Sequence, residues 1–494
     1  LLAEDLYWRG APHGEWNSFH DWEIPGGFSA SVPGPGDRAI FADGGVFQVN
    51  FDDVGAAVDQ ILVRADDYRF RSEAGLDFGG SLELLGGNPF NPSILVGEEA
   101  GDFASLEIAI DMIASSVSVP NTAASVGELR IVGSAYDPAV TINDVLYVAP
   151  SGLGFLTIED GGELYAGVLS AAGGLGSYAE IEVRGPLSSL TVPGRFTHAT
   201  GGVGAMVIED GATVTVGELL TAPENDGDSE IIVEGEGTLL HVLDDADVGQ
   251  SGTGHLEIGD GAHVEVGGAF VLSRYLAFEV QPYEELDRPG TLRMVGASSL
   301  DIGGDFMIGY LGRASASIDD GSTISAGGDL LMQTFLGFDM DQPLGLCLTV
   351  GSASAGNDAP IVHIAGEVTK LSGFPDPIVR VRLADDYVPV LGDTFNLLQA
   401  SGGVIMLELD LDDAPLPASL RWYVTKTATE LSLKIVPRVP GDMTDDGAVD
   451  ADDLFVLLGA WGACADGEPC PADLTGDGIV DAEDLFVLLG AWTG

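Results

Sequence analysis

Gly154-Phe155-Leu156-Thr157-Ile158-Glu159-Asp160-Gly161 returns as Gly204-Ala205-Met206-Val207-Ile208-Glu209-Asp210-Gly211, and again as Gly254-His255-Leu256-Glu257-Ile258-Gly259-Asp260-Gly261. The intervals are 50 and then 50 residues. A fourth copy, Ala316-Ser317-Ile318-Asp319-Asp320-Gly321, follows after 60, and a weaker one, Leu106-Glu107-Ile108, precedes by 50. A second motif runs between them: Leu129-Arg130-Ile131-Val132-Gly133, Ile181-Glu182-Val183-Arg184-Gly185, Ile231-Ile232-Val233-Glu234-Gly235 and Leu292-Arg293-Met294-Val295-Gly296. Both series stretch together in the last interval, which predicts an insertion over Tyr275–Arg288.

Each motif alternates apolar and polar residues and ends at glycine. That is the period of a half-buried strand. Two motifs per period give about 25 residues per coil, the size of one turn of a stacked β-solenoid. Leu156, Ile158, Met206, Ile208, Leu256 and Ile258 then point inward and stack along the axis. At about 4.8 Å per coil, roughly a dozen coils make a rod about 60 Å long. The expected fold is mainly β: a right-handed β-solenoid (β-helix) with β caps, plus a small α-helical module in the tail.

The ends differ from the middle. Residues 1–50 hold Trp8, Trp16, Trp22, Tyr7, Phe19 and Phe41 and read as an aromatic cap. An open stack exposes strand edges and core, so a cap is required. Repeats occupy 51–344. Residues 345–436 lose the period but keep strand patterns, as in Ile378-Val379-Arg380-Val381-Arg382-Leu383, and read as a terminal β-region. Residues 437–440 are a linker and 441–494 the tail module.

The charge narrows the partners. Asp plus Glu total 78 against 19 Lys plus Arg, a net charge of −59, and no lysine precedes Lys370. Such a surface repels nucleic acid and anionic membranes. Nor is there an apolar run long enough for a membrane span. The chain opens on Leu1, which leads to the expectation that a signal peptide has been removed. Cys464 and Cys470 flank a short turn, and a disulfide there fits an oxidising compartment. Cys347, inside Leu346-Cys347-Leu348, reads as a buried thiol.

The tail carries the sharpest signal. Gly441-Asp442-Met443-Thr444-Asp445-Asp446-Gly447-Ala448-Val449-Asp450-Ala451-Asp452-Asp453 precedes Leu454-Phe455-Val456-Leu457-Leu458-Gly459-Ala460-Trp461. Asp473-Leu474-Thr475-Gly476-Asp477-Gly478-Ile479-Val480-Asp481-Ala482-Glu483-Asp484 repeats it 31 residues later, before Leu485-Phe486-Val487-Leu488-Leu489-Gly490-Ala491-Trp492. Calcium takes six to eight hard oxygens from a bent twelve-residue loop, with glycine at the sixth position. Here the ligands are Asp442, Thr444, Asp446, the Ala448 carbonyl, Asp450 and Asp453, then Asp473, Thr475, Asp477, the Ile479 carbonyl, Asp481 and Asp484. The module has 13 acidic residues and no Lys or Arg, so cation binding relieves repulsion and orders the helices. Leu454, Leu457, Leu458 and Trp461, with Leu485, Leu488, Leu489 and Trp492, form helix faces expected to pack together.

This tandem resembles a type I dockerin, in which two loop-helix units dock onto a cohesin. The resemblance implies two calcium ions and a cohesin-like or cell-surface protein partner through residues 441–494. Thr444 and Thr475 stand where Asn or Asp is usual. Ala451-Asp452 and Ala482-Glu483 stand where cellulosomal dockerins often carry Ser or Thr, which points away from a cellulosomal cohesin. The opening Tyr7-Trp8-Arg9-Gly10…Val32-Pro33-Gly34-Pro35-Gly36-Asp37 and the closing Gly392-Asp393-Thr394-Phe395-Asn396-Leu397-Leu398…Leu420-Arg421-Trp422 resemble the two ends of autotransporter-like passenger proteins. Secreted planctomycete proteins are similar in joining such a solenoid to a calcium module.

Other residues carry less. Asp160, Asp210, Asp260 and Asp320 read as turn residues. His241, His255 and His263 lack the spacing of a zinc site. No catalytic residue stands out, although β-helices often cleave polysaccharides. A lyase needs Arg or Lys against uronates, and the charge opposes an anionic substrate. The expected function is therefore a secreted, cell-surface structural or adhesive protein rather than an enzyme. The alternative is an extracellular polysaccharide hydrolase or lyase with a docking tail. A third reading is carbohydrate binding by the N-terminal tryptophans.

Overall fold

Apolar residues at every second position can be hidden together only if they leave a strand on one side. The computed structural model describes residues 4–493 apart from 11, 25–27, 30, 43, 52–55, 72–80, 87–91, 121, 134–138, 275–288, 311–312, 333–344, 358, 371–376, 405–406, 445–446 and 465–469. Strands make up 53% and helices 5%, so the chain is mainly β. The strands form long, largely parallel sheets of 15 and 28 strands, an architecture compatible with a β-solenoid. The insertion expected at Tyr275–Arg288 lies outside the described residues.

The two sequence motifs are alternate rungs of the 15-stranded sheet. Leu153–Glu159 pairs in parallel with Tyr178–Arg184, and that strand with Val203–Glu209. Asp228–Glu234 and Thr253–Gly259 follow. The register sets Leu156, Ile181, Met206, Ile231 and Leu256 in one column, and Ile158, Val183, Ile208, Val233 and Ile258 in another. All ten are buried. Full burial of such a side chain stabilises by about 1.5–3 kcal/mol. It is achieved only because a rung lies on either side.

Turns close each rung. Asp160, Asp210 and Asp260 have φ of 54°, 56° and 50°, and the glycines after them 83°, 82° and 80°. Aspartate tolerates the left-handed region and glycine has no Cβ to clash there. These acids are therefore turn residues. Asp320 also lies in a turn, before Gly321 at φ 89°, and its carboxylate accepts the amides of Ala353 at 2.8 Å and Ser354 at 2.9 Å. A second ladder links other turns. Asp245 accepts the Ala269 amide, Asp305 that of Asp329, and Asp329 that of Glu367, at 2.8–2.9 Å. Each acid caps a donor in the next coil.

Both ends change strand direction. Asp5–Trp8 pairs in parallel with Arg38–Phe41 but antiparallel with Trp22–Ile24. Trp8, Trp16 and Trp22 are each 1% exposed. Trp22 meets Trp8 and Trp16 edge-on at 5.1 Å, and Trp16 stacks on Phe51 at 5.0 Å. Rings buried in this way cannot face a sugar, which overturns carbohydrate binding by these tryptophans. At the other end, Leu420–Lys426 and Glu430–Pro437 form an antiparallel hairpin against Thr394–Ala400. Parallel pairing nevertheless persists through Gly345–Val350, Ile378–Leu383 and Glu408–Asp410. Beyond 345 the connections lengthen, but the stack continues. Cys347 is buried there as a free thiol, and burial raises its pKa.

Candidate metal centre

The tail begins where the last hairpin strand ends. The Arg438 amide still bonds to the Ser419 carbonyl at 2.9 Å, and the chain then turns through Gly441 at φ 94°. Two short helices follow, α1 (Ala451–Gly459) and α2 (Ala482–Gly490). Each starts at an aspartate whose side chain accepts an amide of the first turn, the reciprocal cap expected of such a residue. A small core of Val449, Leu457, Ala472, Val480 and Leu488 joins the two units. The sequence placed four residues on each packing face. In the structure Leu457 and Leu488 are buried, whereas Leu458, Trp461, Leu489 and Trp492 are 38–49% exposed.

The halves are related by an approximate twofold exchange. Gly462–Ala463, after α1, pairs with Ile479–Val480 of the second loop. Thr493, after α2, bonds through its amide to the Val449 carbonyl at 2.9 Å, and its hydroxyl accepts the Val449 amide at 2.7 Å. Cys464 and Cys470 form a disulfide between the halves.

Within the first loop, Asp442 accepts the Gly447 amide at 2.9 Å, and Gly447 turns the chain at φ 95°. Asp453 accepts the amides of Met443, Thr444 and Asp450 at 2.7–3.0 Å and the Thr444 hydroxyl at 3.0 Å. Asp450 accepts the Asp452 amide at 2.9 Å. Asp446 lies outside the described residues.

The second loop repeats this pattern. Asp473 accepts the amides of Gly476 and Gly478 at 2.7 Å and of Asp477 at 3.2 Å. Asp484 accepts the Thr475 and Asp481 amides at 3.0 and 2.8 Å, and the Thr475 hydroxyl at 3.1 Å. That hydroxyl is also 3.3 Å from Asp473, so it bridges the first and last acids of the loop. Asp477 and Asp481 turn instead onto the amides of Ile479 and Glu483. The Gly478 amide holds Asp473, and the Asp481 amide Asp484, below the usual carboxylate range. Burial pushes Asp453 up, yet the amides of Asp450 and Thr444 bring it below that range as well.

The donor set fits a hard divalent cation in kind: acidic oxygens, one hydroxyl and backbone carbonyls on a glycine bend. The side chains are turned onto the loops' own amides, and no group of three or more acidic, histidine or cysteine side chains converges on a metal position among the described residues.

One charged partner was not anticipated. Arg421, on the terminal hairpin, reaches the first loop: its Nη2 is 3.6 Å from Asp442 Oδ2. Their side chains are 9% and 0% exposed. No local pattern announces this contact, because 20 residues separate the partners.

Two further regions gather functional groups. A concavity of about 580 Å³ on the 15-stranded sheet is lined by Phe103, Phe155, Glu128, Glu180, Arg130 and Arg184, among others. Its arginines are tied up: Arg130 pairs with Glu107 at 3.3 Å and with Glu159, and Arg184 meets Glu159 at 2.6 Å. On the 28-stranded sheet His241 lies 3.8 Å from Glu265, and His263 3.7 Å from Asp301, as separate pairs. His255 instead contacts Thr291.

No helix among the described residues is long and apolar enough to cross a membrane. No protein-family model matches the chain, and no curated protein matches it.

Proposed function

We propose that this is a secreted or cell-surface β-solenoid of structural or adhesive role, carrying a dockerin-like module that takes up two calcium ions. The module docks onto a cohesin-like or cell-surface protein through residues 441–494. The observation that carries the reading is the duplication of a whole set of bonds. In both loops the first acid holds the amide of the sixth residue, and the last acid holds the third residue by amide and hydroxyl. The right-handed winding follows the general hand of parallel crossovers.

Exposed apolar side chains support docking. Phe455, Leu458 and Trp461 are 47–69% exposed, and Phe486, Leu489 and Trp492 are 38–73% exposed. So many large apolar side chains on so small a module mark an interaction surface. Calorimetry of the full chain with calcium should give two binding events, both absent from a variant lacking Asp442 and Asp473. A flat isotherm for the unmodified chain would remove the proposal.

The second reading, an extracellular polysaccharide hydrolase or lyase, is favoured by the concavity, where rings and carboxylates stand together. Reducing-sugar release or an unsaturated uronate signal from a polysaccharide panel, lost on Glu180→Gln, would select it.

A further inference from the structure

We infer that Arg421 is a built-in counter-ion for the first loop, making the two cation sites unequal and tying occupancy of the first to attachment of the module to the sheets. This rests on the calcium reading above.

The two loops share sequence and bonding but not surroundings. Asp442 is buried against a guanidinium that is itself 9% exposed, whereas Asp473 is partly open to solvent. A Cβ on Gly447 would stand 2.7 Å from Arg421 Nη2, so the guanidinium lies on the bend of the loop. A Cβ on Gly478 would meet nothing within 4 Å. A buried carboxylate needs compensation, and here the hairpin supplies it.

A calcium ion ligated at about 2.3–2.6 Å by Asp442 Oδ2, the oxygen facing Arg421, would stand no more than about 6 Å from that nitrogen. A double and a single positive charge at this distance repel enough, even with the full screening of water, to weaken binding about tenfold. Lower screening in this buried corner enlarges the effect. Linkage is reciprocal: calcium in the first loop weakens the Arg421–Asp442 contact by the same factor. A cavity of about 540 Å³, lined by Ser419, Arg438, Val439, Asp442, Met443 and Pro471 among others, leaves the junction loosely packed. Weakening of the guanidinium contact therefore loosens the module on its connection.

The test uses the full chain. Asp473→Ala leaves only the first loop to bind calcium, and Asp442→Ala only the second. Calorimetry is expected to show the first loop at least tenfold weaker. Adding Arg421→Gln should strengthen the first loop about tenfold and leave the second unchanged. In the unmodified protein, hydrogen exchange over the connection 438–441 should rise as the weaker site fills, a readout that survives if Arg421→Gln fails to fold. Equal affinities, a weaker first loop after Arg421→Gln, or unchanged exchange at saturation would each overturn the assignment while sparing the calcium reading. No uptake by either loop overturns the calcium reading itself.

Discussion

His198 Nδ1 lies 2.7 Å from the hydroxyl of Ser229, and neither residue is exposed. The two belong to different sheets, so this polar pair bridges the interior of the stack. Burial pushes the imidazole from its ordinary 6.5 down to about 4, against an opposing contact with the Ala205 backbone. The folded protein therefore holds a neutral ring where the unfolded chain would take up a proton. Stability from this group is full above pH 6.5 and falls as the pH drops towards 4, by about 3 kcal/mol in all. Denaturation midpoints between pH 7 and 4, compared with His198→Asn, should show a steeper decline for the unmodified protein. Parallel declines would contradict this.

Ile208 sits between Val183 and Val233 with no exposure. Ile208→Ala should cost about 2–5 kcal/mol, because neighbouring rungs cannot collapse into the gap independently. Limited proteolysis should cut first near the affected coil. Uniform cleavage along the chain would argue against rung-by-rung stability.

Burial pushes the Glu159 carboxyl up, but hydrogen bonds from Arg184 and Arg130 bring it below the usual range. Glu159→Ala sets two guanidinium groups side by side and should cost about 1–3 kcal/mol. Arg184→Ala removes a side chain that is 41% exposed and should cost about 1 kcal/mol or less. Chemical denaturation of the two variants checks the order, which reverses if the ladder contributes only through arginine packing.

Asp481 caps α2, whereas Asp477 accepts only the Ile479 amide within its loop. Asp481→Ala should destabilise α2 by about 1 kcal/mol with or without calcium. Asp477→Ala should leave the helix intact in chelator and lower only calcium affinity. Circular dichroism of the two variants with chelator separates capping from ligation, and identical spectra would show that the distinction fails.

The rungs were legible because their period is local. Leu156 and Ile158 flank Thr157 at the two-residue period of a strand, and the glycine turns recur about every 50 residues until the last interval stretches, so the inward columns could be read directly. The ladder through Asp245, Asp305 and Asp329 was not legible, because each acid meets its amide only after a full coil has closed. In the tail, spacing identified the loop residues and both helices. It could not say that Asp477 and Asp481 turn onto neighbouring amides, that Trp461 and Trp492 face outward, or that Arg421 enters the first loop. Those facts depend on how segments meet in space, and the last depends on a strand that ends before the motif begins.

The placement of the tryptophans makes the molecule optically lopsided. Trp8, Trp16 and Trp22 lie sealed at one extremity; Trp422, Trp461 and Trp492 belong to the other. Indole emission therefore reports fraying at either tip and stays silent while the long middle loosens, so a flat fluorescence trace on heating would conceal an opened centre.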